Sequence, residues 1–219
     1  MKKIINTLEF IHKYGVRGFT RECYHRLIDN YCEKHFDVNT GGMISKEDLG
    51  LIHAEAQHYT ALHYKHIFNM LNTLPVDKSK STILDYGCGK GRVIVAAAAC
   101  KYQKIIGVEL SPLIEIAKNN IDSMKHRKTN CIELKQCDAM DFSVPRDVNV
   151  IYFFNPFKGS ILESVTRSIY SSYKDAPRKI YIIYFNNVHF DKIIAHQAWL
   201  TKIDQSEVHL GISCGLYET

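Results

Sequence analysis

The sequence predicts an α/β fold: a mostly parallel, doubly wound sheet with helices on both faces, preceded by a helical cap. Three observations carry this. From about Ile83 onward strand-like and helix-like segments alternate, which implies crossover connections between parallel strands. The stretch "ILDYGCGKGR" sets Gly87, Gly89 and Gly91 between an apolar strand and an alanine-rich helix. Four successive strand ends carry polar or glycine-rich residues, and sheets of this kind bind ligands beyond the carboxyl ends of their strands.

The chain of 219 residues, 46% hydrophobic and 23% charged, has room for one sizeable α/β domain with an appendage. The expected strands are "STILDY", "KIIGVEL", "NCIELKQ", "VNVIYFF" and "RKIYIIYF", followed by two closing strands within "WLTKIDQSEVHLGISCGLYET" joined by a turn. The expected helices are "KGRVIVAAAACK", "SPLIEIAKNNIDSM", "GSILESVTRSIYSSY" and a short "HFDKIIAHQ". In the second of these Ser111 caps, Pro112 takes the first position, and Ile114, Ala117, Ile121 and Met124 recur at spacings of three and four. Before Ile83 only helices are expected. Two of them, "KKIINTLEFIHKYG" and "TRECYHRLIDNYCEKHF", carry apolar residues at helical spacing, and packing on the core or a second subunit is their default role. The boundary falls near residue 80, with a cap and substrate region at 1–80 and a ligand-binding domain at 81–219.

Several function classes recede on composition. No apolar run reaches the roughly 20 residues of a membrane span. Asn6, Thr7 and Glu9 interrupt the apolar part of the opening segment, which argues against a signal peptide. Seven cysteines without a CxxC pair point to a reduced, cytoplasmic protein without structural zinc. The net charge of +5 lacks a basic stripe, which places nucleic acid last among partners. Lys125-His126-Arg127-Lys128 sits where a helix ends, a place that suits cations.

The glycine turn and the unpaired amides of the helix after it are suited to a carboxylate or phosphate. The pattern is GxGxG followed by Arg92, one residue short of the dinucleotide fingerprint GxGxxG. Asp85 beside the turn disfavours a pyrophosphate and suits a ligand that carries an ammonium as well. Glu109, 24 positions on, ends the second strand, where an acid accepts from ribose hydroxyls. Asp138, in "CDAM", is placed to accept from an adenine amino group, with Asp141 a competitor and a capping role the alternative. An amino acid, a ribose and an adenine make S-adenosyl-L-methionine (SAM), whose demethylated product is S-adenosyl-L-homocysteine.

From Ile83 to Thr219 the sequence resembles the class I SAM-dependent methyltransferases, through "ILDYGCGKG", "GVEL", "CDAMDF" and "FFNPF". The resemblance implies a Rossmann-like, seven-stranded, mostly parallel sheet whose last strand is antiparallel. It implies cofactor contacts at Asp85, Gly87, Gly89, Glu109, Asp138 and Ala139, with Cys88 and Cys137 flanking the ligand as small, free-thiol space-fillers. "FDVNTGGMIS", "YGCGKGR", "FFNPF" and "APRKIYIIYFNN" are similar, more narrowly, to a group of small bacterial methyltransferases. That similarity implies that Thr40 in "NTGG" and Tyr59 belong to the cofactor or acceptor pocket.

"FFNPF" is expected to aim the acceptor. The Asn155 side-chain carbonyl, with the next backbone carbonyl, accepts two hydrogens from an amine and leaves its lone pair toward the methyl. Pro156 fixes the turn, and Phe157 stacks on a flat acceptor or faces the sulfonium; the alternative is that Pro156 ends the strand and Phe157 packs. The motif resembles the Asn-Pro-Pro-aromatic signature of amino-group methyltransferases with one proline missing. One of His58, Tyr59 or His63 is expected to contact the acceptor. His53, His58, His63 and His66 do not share one helix face, which argues against a metal site. A protein amine, then a small-molecule or sugar hydroxyl, lead the acceptors. An NAD-dependent oxidoreductase and a non-catalytic partner module of the same fold are the rival readings.

Overall fold

The computed structural model describes residues 7–50, 57–195, 197–209 and 211–219. The two expected helices are present within α1, Thr7–Phe36, which runs across a kink at Gly15 (φ 70°, ψ 173°), the last residue of the first expected segment. The expectation of helices alone before Ile83 is corrected by a two-residue antiparallel ladder, β1 (Met43–Ile44) on β2 (Tyr59–Thr60). Helix α2 spans Tyr64–Thr73 and starts only after His63, so His58 and His63 are not helical. Lys2, Lys3 and His53 lie outside the described residues.

The main elements follow the sequence pattern closely: β3 Thr82–Tyr86, α3 Arg92–Ala99, β4 Lys104–Glu109, α4 Leu113–Ser123, β5 Ile132–Gln136, β6 Val148–Phe154, α5 Gly159–Asp175, β7 Tyr181–Phe185, α6 Val188–Ile194, β8 Thr201–His209 and β9 Ile212–Glu218. Seven strands form one sheet in the order β5-β4-β3-β6-β7-β9-β8. Strands β3 to β7 pair in parallel, and β9 inserts antiparallel between β7 and β8. The expected seven-stranded sheet with its antiparallel closing strand is therefore present. Strand order reverses at β3 and β6, where the connections diverge and leave a crevice.

Alternation along the strands sorts two cores. Ile83, Val150, Tyr152, Ile183 and Phe185 face α2 and α3 on one side, together with the α1 residues Cys32 and Phe36. Leu84, Tyr86, Ile151, Phe153 and Ile182 face α5 on the other. The alanines of α3, Ala96 to Ala98, are wholly buried, which lets that helix sit close on the sheet. Burying each Val, Leu or Ile contributes about 1.5–3 kcal/mol. The cap thus shares the core of the sheet. Asp85 falls on the cap-facing side because it alternates with Leu84 and Tyr86.

Candidate active site

A cavity of about 340 Å³ opens at the carboxyl ends of β3, β4 and β6 and runs beneath the cap. Its lining includes Asp85, Gly87, Cys88, Glu109, Asp138, Ala139, Asn155, Pro156 and Phe157, with Tyr59 and His58 from the cap. Residues drawn from four strand ends and the cap therefore meet in one place. Gly89 and Thr40 do not line it. Gly89 lies directly under the Tyr59 ring, and Thr40 is fully buried behind it.

The glycine turn works differently from the sequence expectation. Its amides do not await an anion. Gly87 and Cys88 donate to the Val108 carbonyl at 2.8 and 3.0 Å, Gly91 donates to Cys88 O at 2.8 Å, and the Gly89 amide donates to Glu109 Oε2 at 2.9 Å. The Lys90 amide meets the Tyr59 hydroxyl, which itself donates to the Thr40 carbonyl at 2.6 Å. The missing side chains make room for protein. A Cβ on Gly87 (φ +71°) would lie 2.5 Å from Pro156 Cβ, and one on Gly89 (φ +52°) 2.2 Å from Tyr59 Cε2. Both glycines are thus required by backbone conformation and by close packing.

Glu109 accepts from the Gly89 and Ser111 amides, one per carboxylate oxygen, both at 2.9 Å. Each oxygen keeps a second lone pair for a hydroxyl donor. Asp138 Oδ1 accepts from the Met140 amide at 2.8 Å, so it caps its turn and lines the cavity at once. Its competitor Asp141 is exposed and outside the lining. Asp85 is 3% exposed. Burial, reinforced by the Glu109 charge, pushes its carboxyl well above the usual range, and no hydrogen bond offsets this. Three carboxyl groups, those of Asp85, Glu109 and Asp138, thus border one cavity.

At the end of β6, Asn155 adopts a left-handed backbone (φ 41°), and its side-chain oxygen is buried without a partner. Phe157 lines the cavity but is anchored edge-on against Tyr86 and Phe153, at centroid distances of 6.2 and 6.1 Å. His58 is on the rim, whereas His63 turns away: its Nδ1 meets Asp29 Oδ2 at 2.7 Å and its Nε2 meets Glu22 at 3.2 Å. Cys88 is buried, and burial raises its thiol well above the ordinary range, as expected of an inert space-filler. Among the described residues no group of three or more His, Cys, Asp or Glu is placed to hold a metal ion. No helix among them is long and apolar enough to cross a membrane.

Sequence reasoning missed two residues here. Arg92, 6% exposed, borders the cavity and bolts the cap to the sheet. It donates to Thr40 Oγ1 (2.8 Å), Asp29 Oδ2 (3.1 Å), the Leu62 carbonyl (3.0 Å) and Glu33 Oε1 (3.0 Å). Tyr152, opposite Asp85 in register, also lines the cavity, and its buried hydroxyl has no partner.

Residues 83–175, from β3 through α5, match the methyltransferase-domain family. No curated protein matches the chain. Several solved structures share the fold. An RNA methyltransferase from Salinibacter ruber in complex with S-adenosyl-L-homocysteine is 14% identical, with a TM-score of 0.53 over 73% of this chain and 93% of its own. Magnesium protoporphyrin IX methyltransferase from Synechocystis PCC 6803 with bound SAM is 14% identical, with a TM-score of 0.53 over 71% and 78%. The m1A22 tRNA methyltransferase of B. subtilis is 12% identical, with a TM-score of 0.56 over 74% and 67%. The matched segment is thus a methyltransferase domain, and the sheet order around it is the one these solved methyltransferases share.

Proposed function

We propose that this methyltransferase modifies a nitrogen that carries two hydrogens, on a protein side chain or a small molecule. The observation that carries the reading is the Asn155 side-chain oxygen, buried and unpartnered, on a residue that lines the cavity at the end of β6. A buried acceptor without a donor costs about 1–3 kcal/mol, and an incoming amine relieves that cost. Glu109 takes the ribose hydroxyls, Asp138 the adenine amino group with its uncapped oxygen, and Asp85 the ammonium. Gly87, Ala139 and Cys88 shape the floor.

SAM supplies an electrophilic methyl on a sulfonium when bound. The protein's task is then positioning, which accounts for up to roughly 7–11 kcal/mol of a barrier of this kind. Asn155 Oδ1 and the adjoining backbone carbonyl hold the acceptor's two hydrogens and turn its lone pair inward. Pro156 fixes that corner against Gly87, and its carbonyl accepts from the Gln57 amide at 3.2 Å, which ties the cap to the motif. His58 on the rim is the side chain placed to pass the acceptor's proton to solvent.

The reading extends to the narrower group and to the boundary near residue 80. In support, the group's motifs touch: Arg92 of "GKGR" bonds Thr40 of "NTGG", and Lys90 donates to the Gly41 carbonyl at 2.8 Å. The test is Asn155→Ala. SAM affinity is expected to stay within about threefold while turnover falls roughly a hundredfold. Transfer of labelled methyl into lysate, separated into protein, small-molecule and nucleic-acid fractions, identifies the acceptor class. Label in nucleic acid, or full turnover by Asn155→Ala, refutes the proposal.

A further inference from the structure

The inner end of the cavity holds a second pair of polar groups that the acceptor does not account for. Asp85 and Tyr152 stand opposite each other on the parallel neighbours β3 and β6, on the face toward the cap. Tyr152 is 1% exposed, lines the cavity, and its hydroxyl has no hydrogen-bond partner. Asp85 is equally deep and equally without a donor. Neighbouring strands lie about 4.8 Å apart, so a carboxyl and a phenol leave adjacent strands from the same register position, and both residues line the cavity.

An α-amino acid carries an ammonium and a carboxylate on one carbon, and that is the group such a pair receives. The ammonium is drawn to Asp85. The carboxylate then needs a donor, and three candidate sets near Asp85 are committed. The amides of the glycine turn go to Val108, Cys88, Glu109 and Tyr59. The Arg92 guanidinium is held by Asp29, Glu33, Thr40 and the Leu62 carbonyl. The Tyr59 hydroxyl donates to the Thr40 carbonyl. The Tyr152 hydroxyl is uncommitted, and it belongs to the residue that stands opposite Asp85. Burial and the nearby Asp85 charge keep its phenol protonated, hence a donor, at neutral pH.

We propose that Tyr152 is a cofactor-binding residue that donates to the carboxylate of SAM while Asp85 holds its ammonium, an inference that rests on the methyltransferase reading of the cavity. Calorimetric titration with three probes tests it: SAM, decarboxylated SAM, which keeps the ammonium, and 5′-methylthioadenosine, which lacks the amino-acid end. Tyr152→Phe is expected to weaken SAM about tenfold, the loss of one hydrogen bond to a charged group, and to leave the other two probes unchanged. Asp85→Asn is expected to weaken SAM and decarboxylated SAM but not methylthioadenosine. Tyr184→Phe removes another buried, unpartnered hydroxyl outside the cavity and is expected to change none of the three. Tyr152→Phe deletes a group with no protein partner, and thermal melting checks that the variant folds. Unchanged SAM affinity in Tyr152→Phe, or an equal loss for all three probes, overturns the inference and leaves the methyltransferase reading intact. Failure of the unaltered protein to bind any of the three overturns that reading, and the inference with it.

Discussion

Asp85 and Arg92 are seven positions apart, both buried and both beside the same cavity, yet their surroundings are opposite. Arg92 is met on every side: two carboxylates, a hydroxyl, a carbonyl, and the Tyr64 ring 4.6 Å from its central carbon. Asp85 is met by nothing that stabilises its charge. A buried charge is tolerable only when paired. The first region is complete as it stands and holds the molecule together. The second is incomplete, and the proposed function gives it to a ligand. Missing partners, more than charge itself, separate the binding lobe from the structural knot.

Four substitutions would break or sharpen that contrast. The largest effect is expected from Arg92→Met. It strands Asp29 and Glu33 in the interior, for a loss of about 3–5 kcal/mol in urea unfolding. A loss under 1 kcal/mol would mean the knot contributes little. Next, Glu109→Ala is expected to lower SAM affinity at least about tenfold in calorimetry, since it removes the proposed ribose acceptor and frees the Gly89 and Ser111 amides. Unchanged affinity would place the ribose elsewhere.

Asp85→Asn is expected to act in the other direction on stability, raising it by about 0.5–2 kcal/mol at pH 8 while SAM binding weakens, as removal of a functional strain commonly does. The pH dependence has opposite signs in the two regions. Burial alone would raise Asp29, but the His63 hydrogen bond, the Arg92 charge and the Tyr64 amide together hold it below the usual carboxylate range. Its contribution is therefore present above the ordinary Asp range and lost as the protein is acidified. Asp85 is shifted upward, so its ionisation costs stability as pH rises from the ordinary Asp range through its elevated one. Melting curves from pH 4 to 8 are expected to show the second slope in the unaltered protein and not in Asp85→Asn. The smallest effect belongs to Tyr59→Phe. It loses the bond to the Thr40 carbonyl, roughly 1 kcal/mol, but keeps the ring over Gly89. Turnover within twofold of the parent would place Tyr59 with the structural knot; a larger fall would give it a place beside the acceptor.

The sheet was legible because each strand repeats its pattern locally: "VNVIYFF" marks β6 from Val148 to Phe154 without error. The strand ends at Asp85, Glu109, Asp138 and Asn155 were legible for the same reason. Arg92 was not, because its partners Asp29 and Glu33 lie 63 and 59 residues away and no local period relates them. Tyr152 was hidden inside an unbroken apolar run, where a tyrosine reads as core; only its register against Asp85 gives it another use. The turn amides looked free because the sequence cannot show that the end of β4 curls beneath them. His63 was indistinguishable from His58 until α1 presented Asp29 to it.

The Arg92 knot also sets a schedule for birth. Helix α1 leaves the ribosome before α3, with Asp29 and Glu33 on a face meant for the interior. At about 5–20 residues per second, the arginine they wait for emerges roughly 3–12 seconds later. Through that interval the amino-terminal helix has no place to dock, so the nascent chain is expected to remain open to proteases and chaperones until translation has passed α3.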